Sequence, residues 1–211
     1  MIYLDNAATT PVAPEVVEVM VPYLSEHFGN PSSTHALGRK TRAAIEKVRK
    51  QIADEFKALP SEFIFTSGGT EADNIAILTS VKKLGVTRII TSAIEHHAVL
   101  HTAESYGNDV KIELVNLNEL GEVELSHLEE LLSTKEKTLV SLMHANNEIG
   151  NEINLKSIGE ICRANNAYFH SDTVQTIGHF AIDLSDIEID FITCAAHKFH
   201  GPKGTGFLFV R

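Results

Sequence analysis

Seven short apolar runs, with amphipathic stretches between most of them, set the strongest limit on how this chain can fold. They lie near 63–66, 88–92, 110–115, 138–143, 167–172, 190–194 and 206–210. Several are apolar throughout rather than alternating, as in Phe191-Ile192-Thr193-Cys194, which is the habit of strands covered on both faces. The intervening stretches carry helical stripes, Ile45, Val48, Ile52 and Phe56 in one and Leu155, Ile158 and Ile161 in another. Asn30-Pro31-Ser32-Ser33 breaks the chain ahead of a long helix starting near His35, and Ser126-x-x-Glu129 reads as a capping box. The last two runs are joined only through Gly201 to Gly206, too short for a helical crossover, so the final strand is expected to be antiparallel to its neighbour. The pattern predicts one α/β domain over 1–211, built on a mostly parallel seven-stranded sheet with helices on both faces. Ligands of such sheets gather at the carboxyl ends of the strands, and Gly69, Asn146, Asp172 and Lys198 each fall just after an apolar run.

Two of those residues suggest a chemistry. Lys198 is carried out of an apolar run into the bend Phe199-His200-Gly201-Pro202-Lys203-Gly204. Burial there lowers a lysine's pKa, and a neutral amine is the form that condenses with an aldehyde. Asp172 ends another run. A lysine for covalent attachment and an aspartate for a pyridinium nitrogen are what pyridoxal 5'-phosphate requires of a protein. A third element, Phe65-Thr66-Ser67-Gly68-Gly69-Thr70-Glu71-Ala72-Asp73-Asn74, closes one run and opens a helix bearing Ile75, Leu78 and Val81. Paired glycines and a helix start make an anion cup, to which Thr70 adds a hydroxyl. The plainer reading is a strand-to-helix turn with Thr70 as N-cap. The segment has neither dinucleotide-site nor nucleoside-triphosphatase glycine spacing.

Composition removes other classes. With 211 residues and 43% hydrophobic content, the chain can bury a substantial core. A net charge of −10 argues against nonspecific nucleic-acid binding. No stretch resembles a membrane span, and Met1-Ile2-Tyr3-Leu4-Asp5 lacks the basic start of a signal peptide. Two cysteines without Cys-x-x-Cys spacing give neither a disulfide framework nor a zinc knuckle, and a reducing, cytoplasmic setting is expected. Eleven histidines raise the possibility of metal, with His170/Asp172 and His96/His101 as the nearest pairs. No His-Glu-x-x-His or comparable ligand set occurs, so none is expected.

Ordered motifs along nearly the whole chain resemble the pyridoxal-phosphate-dependent cysteine desulfurases of the class V aminotransferase-like group. They include Tyr3-Leu4-Asp5-Asn6-Ala7-Ala8-Thr9-Thr10-Pro11, Phe28-Gly29-Asn30-Pro31-Ser32-Ser33 and the Gly68-Gly69 cup. Glu95-His96-His97-Ala98-Val99, Met143-His144-Ala145-Asn146-Asn147-Glu148, His170-Ser171-Asp172-Thr173-Val174-Gln175 and His197-Lys198-Phe199-His200-Gly201-Pro202-Lys203-Gly204 follow. The resemblance implies the large domain of a fold type I transferase that converts L-cysteine to L-alanine and passes sulfur on as a persulfide. Lys198 would attach the cofactor and move the substrate α-proton, and Asp172 would keep the ring nitrogen protonated. His96 would lie on the ring face, Asn146 and Gln175 near the ring's phenolic oxygen, and Gly69, Thr70 and His197 at the phosphate. Such enzymes are homodimers that deliver sulfur to an acceptor or iron–sulfur scaffold protein.

Two departures qualify the match. Where the family usually has a phosphate-binding serine, three residues before the lysine, this chain has Ala195. Losing one hydroxyl donor to a charged group costs about 1.5–3 kcal/mol if nothing replaces it. The family's smaller C-terminal domain, with its nucleophilic cysteine and substrate-binding arginine, has no counterpart before Arg211. Cys162 and Cys194 read as core thiols. The 211 residues alone are therefore expected to be inactive, either as part of a longer enzyme or as a short form. Selenocysteine lyase, another class V aminotransferase and a silent cofactor-binding or dimerisation module are the alternatives. A cysteine-bearing loop downstream would support the desulfurase, and its absence a different chemistry.

Overall fold

A computed structural model describes residues 2–211. Helices α1 (Pro14–Ser25) and α2 (Ala36–Phe56) precede a regular alternation. It runs β1 (Phe63–Thr66), α3 (Gly69–Lys82), β2 (Arg88–Thr91), α4 (His97–Ser105), β3 (Lys111–Leu114), α5 (Leu125–Leu132), β4 (Thr138–Ser141), α6 (Leu155–Ala164), β5 (Tyr168–Asp172), β6 (Phe191–Ala195) and β7 (Gly206–Val210). The seven strands form one sheet in the order β1-β7-β6-β5-β4-β2-β3. Every pairing is parallel except those of β7, which runs antiparallel to both β6 and β1.

The all-apolar strands are explained by two cores, because successive side chains point to opposite faces. Ile89, Leu139, Phe191 and Leu208 meet α3 and α4 through Ala72, Ala76, Ile77, Val99 and Ala103. Their neighbours Ile90, Val140, Ile192, Phe207 and Phe209 face the other way, onto Phe56, Leu128, Leu132, Leu155, Ile158 and Cys162. At the β1 edge the second core is aromatic, with the Phe63 ring 5.4 Å from Phe207 and 5.5 Å from Phe209.

Some local expectations shift. Ser126 and Glu129 form no capping box: Glu124 is the N-cap of α5, which places Ser126 inside the first turn. The helix starts earlier because Glu124 N–H donates to the Asn116 carbonyl at 3.0 Å and Leu117 pairs with Val123, closing the preceding turn. Val48 belongs to the α2 stripe but is 46% exposed. It borders an apolar groove of about 900 Å³ that also includes Ile52, Phe56, Phe180, Ile182 and Phe207. Helix α1 buries none of its residues, although it carries Val17, Val19, Met20, Val21, Tyr23 and Leu24.

Candidate functional site

The order of the sheet sets where a ligand can sit. β2 lies between β3 and β4, so the connections leaving β2 and β4 diverge there, and an open α/β sheet leaves a crevice at such a point. The β2 exit supplies Glu95 and His96, the β4 exit Met143 to Asn147, the β5 end Asp172, and the β6 exit Lys198. A cavity of about 270 Å³ forms among them. Of the residues singled out by sequence, Gly69, Thr70, His96, Asp172, Gln175, Ala195, His197 and Lys198 all line it. Ala8, Asp73, Met143, Asn147 and Val174 line it as well.

Asn146 is engaged elsewhere. Its Nδ2 donates to the Ile94 carbonyl at 2.6 Å, and its Oδ1 accepts from the Glu148 and Ile149 amides at 2.8 and 2.9 Å. The side chain thus shapes the loop that carries Asn147 to the cavity wall.

At one end of the cavity is the start of α3. Gly68 is the N-cap, at φ 155°, and Thr70 is the second helical residue rather than the cap. The Glu71 carboxylate accepts from Ser67 N–H and Oγ–H at 2.6 and 2.7 Å, which fixes the turn. A Cβ on Gly69 would sit 2.6 Å from Val174 Cγ2, so the close approach of helix to β5 loop needs glycine. The first helical amides have no intrahelical acceptor, leaving donors for an anion.

Lys198 ends a 3₁₀ turn over Ala196–Lys198, closed by Phe199 N–H and Gly201 N–H to the Ala196 carbonyl at 3.1 and 2.8 Å. Its amine donates to the Ala7 carbonyl, which also accepts from Gln175 Nε2 at 3.0 Å. The strand-end segment and the N-terminal strap are further tied by Thr10 N–H and Oγ–H to the His197 carbonyl, at 2.8 and 2.9 Å. Burial holds the Lys198 amine below its ordinary value, with Asp172 and Asp5 opposing. Lys203, by contrast, is exposed in the following turn.

Asp172 is buried, with Oδ1 accepting from Val174 N–H at 2.9 Å. Burial, then the nearby Asp73 charge, pushes its carboxyl up to about 7, while the Val174 amide, His170 and His96 pull it down. His96 is the N-cap of α4, its Nδ1 accepting from Ala98 N–H at 3.1 Å, which sets the ring's orientation at the cavity edge. His97 stacks on His101 with centroids 4.9 Å apart, and among the described residues no cluster of three or more His, Cys, Asp or Glu side chains could hold a metal.

A profile of the aminotransferase class-V family matches residues 2–211. This chain belongs to the class V aminotransferase family. The "cysteine desulfurase IscS" of Clostridium botulinum is 44% identical over the whole of this class V chain, and the "putative cysteine desulfurase IscS 1" of Bacillus subtilis is 46% identical over 99% of it. Those alignments cover 53% and 56% of the relatives, so the chain spans about half the length of the curated relatives it matches. A solved structure described as a NifS-like protein superposes over the full chain with a TM-score of 0.96 at 38% identity, covering 59% of that chain. Another, described as SspA in complex with cysteine, gives 0.94 at 36%, covering 61%.

Glu95, immediately before His96, is a buried acid that the sequence did not mark. Its Oε1 accepts from Ser92 Oγ–H at 2.7 Å and Met143 N–H at 3.0 Å, while Oε2 has no partner. Burial pushes it up to about 8, against the pull of those two hydrogen bonds. A carboxyl that is protonated when folded and ionised when unfolded loses stability as pH rises from near 4.5 to near 8. Glu95→Gln should therefore gain on the wild type across that window by about 1.4 kcal/mol per pH unit, read from paired denaturant melts.

Proposed function

We propose that this chain is the pyridoxal-phosphate-binding large domain of a cysteine desulfurase, and that 1–211 forms one cofactor-holding unit. The observation that carries this reading is that Lys198, Asp172 and the α3 start, distant in sequence, line one small cavity. The relatives named cysteine desulfurase and the structure described as holding cysteine support L-cysteine as the substrate. The residues present fit the cofactor: a partly desolvated amine, a buried carboxyl with raised proton affinity, and helix-start donors at the far end.

When bound, the cofactor supplies an electron sink for negative charge at the substrate α-carbon. Lys198 would attach it and move the α-proton, aided by an amine that burial makes easier to deprotonate. Asp172 would hold a proton at the ring nitrogen. His96, oriented by its capping bond, would lie at the ring, and Gln175, whose Nε2 donates to the Ala7 carbonyl, would lie near the ring's oxygen, with Asn146 shaping the adjoining loop. Gly69, Thr70 and His197 would hold the phosphate, and Ala195, which lines the same cavity, offers no hydroxyl to it.

The sulfur-accepting step is where this chain falls short. Cys162 and Cys194 are free and each 1% exposed. Burial pushes the Cys194 thiol up to about 12 and Cys162 higher still, so neither offers a thiolate at neutral pH. Free buried thiols support a reducing compartment such as the cytoplasm. Among the described residues no helix is long and apolar enough to cross a membrane. The bare face of α1 supports a homodimer, with an acceptor or iron–sulfur scaffold protein taking the sulfur. The test is sulfide and alanine release from L-cysteine with cofactor and reductant present. The 211 residues should bind cofactor without sustained turnover, and multiple turnover abolished by Cys162→Ser or Cys194→Ser would overturn the placement of the nucleophile.

A further inference from the structure

We propose that Asp73 is a positioning residue working through Asp172: the two carboxyls face one cavity, share one proton at neutral pH, and keep that proton ready for a pyridine nitrogen. The inference rests on the reading of the cavity as a pyridoxal-phosphate site and concerns a residue outside the set assigned above.

Asp73 comes from α3 and Asp172 from the end of β5, and both line the cavity. Asp73 is 1% exposed and Asp172 5%. No arginine or lysine forms an ion pair with either, since the Lys198 amine is turned to the Ala7 carbonyl. The one basic group against Asp73 is His170, on the same face of β5 as Asp172. His170 Nδ1 lies 2.8 Å from Ser141 Oγ, and its Nε2 lies 3.4 Å from Asp73 Oδ1. That gap is too long for a good hydrogen bond, so Asp73 Oδ1 and His170 Nε2 are both left buried without a partner. An unpaired buried carboxylate oxygen is costly, and a proton on it removes most of the cost.

His170 brings no compensating charge, because complete burial pushes it down to about 4 and keeps the ring neutral at pH 7. Two neighbouring buried carboxylates without a cation do not both ionise readily. Burial pushes Asp73 up to about 7, the neighbouring Thr193 of β6 opposing, and Asp172 reaches the same value. The remaining titratable groups around the pair are Glu95 and His96 from the segment entering α4, and His197 and Lys198 from the β6 exit. Glu95 is itself protonated at pH 7, and the Val174 amide, then the His170 and His96 rings, draw Asp172 toward its ionised form. A bound pyridine nitrogen would take the proton the pair holds, one carboxyl O–H bond breaking as one N–H bond forms, with no proton drawn from solvent.

The experiment uses the protein without cofactor, labelled with ¹³C at aspartate carboxyls, with resonances assigned through Asp172→Asn and Asp73→Asn. In the wild type, Asp73 and Asp172 should titrate together, each in two coupled steps centred near pH 7. In Asp73→Asn, Asp172 should show a single step moved down by at least about one pH unit, a tenfold change in proton affinity. A role for Asp73 in packing alone would alter the melting temperature and leave that midpoint in place. Because no cofactor is present, the result is independent of whether Lys198 captures pyridoxal phosphate, and the two ideas fail separately. If Asp73→Asn does not fold, the wild-type curves decide: Asp172 titrating alone below about pH 5, with Asp73 flat beside it, overturns the shared proton.

Discussion

Replacing Lys198 by alanine is expected to abolish covalent capture of pyridoxal phosphate and to lower α-proton exchange on L-cysteine by about 10²–10⁴-fold, the range a positioned proton carrier contributes. Lys198 leaves β6 in a closed 3₁₀ turn and lines the cavity, whereas Lys203 is exposed in the next turn. The phosphate-end donors at Gly69 and Thr70 remain in the variant, so weak noncovalent binding should persist while the covalent absorbance band disappears. Borohydride reduction of the wild type, followed by peptide mapping, should place the added mass on Lys198. A label on Lys203 would sink the assignment.

Asp172→Asn should do the reverse, retaining the covalent link and losing the electronics. Asparagine keeps the shape and can still accept from Val174 N–H, but it cannot carry the negative charge that stabilises a protonated ring. Removing one preorganised electrostatic partner of this kind costs about 10²–10³ in rate. Solvent deuterium incorporation at the α-carbon should fall by that factor with the absorbance of bound cofactor largely kept. Exchange within a few-fold of wild type would mean that another group, with Asp73 the nearest candidate, protonates the ring.

The central strands were legible because they are covered on both faces, so burial wrote itself into runs such as Phe191 to Cys194 and Thr138 to Ser141, whereas the edge strands β1 and β3 stay partly exposed. The antiparallel turn of β7 was legible for a related reason: the connection is too short to cross over. Its pairing with β1 left no local trace, since a register such as Phe63 opposite Phe209 is set by two segments far apart in the sequence. Lys198 and Asp172 stood out because their chemistry is rare at strand ends. Asp73 did not, because a carboxylate in the first helical turns usually points to water, and only the packing of α3 on β5 buries this one. Ala7 and Ala8 act at the cavity through backbone, which no side-chain pattern reveals. The sequence singled out Asn146, yet Asn147 lines the cavity, because the loop decides which of two adjacent amides turns inward.

The position of β7 has a consequence for how the chain is made. β1 has a single neighbour in the sheet, and that neighbour is the last strand in the sequence. During synthesis from the amino end, β1 and the α3 start that follows it wait without a strand partner until 206–210 emerge. β7 then slides between β1 and β6, and Gly206 is the residue that lets it seat: a Cβ there would fall 2.1 Å from the Cys194 carbonyl oxygen and 2.9 Å from Gly68 Cα. That one insertion joins the helix-start end of the cavity, carried by β1, to the lysine end, carried by β6. Long-range pairing of this kind is slow and leaves an unpaired edge open to other chains in the interval. The cavity is thus closed only once β7 has been made, and crowding of nascent chains is the hazard this topology faces before then.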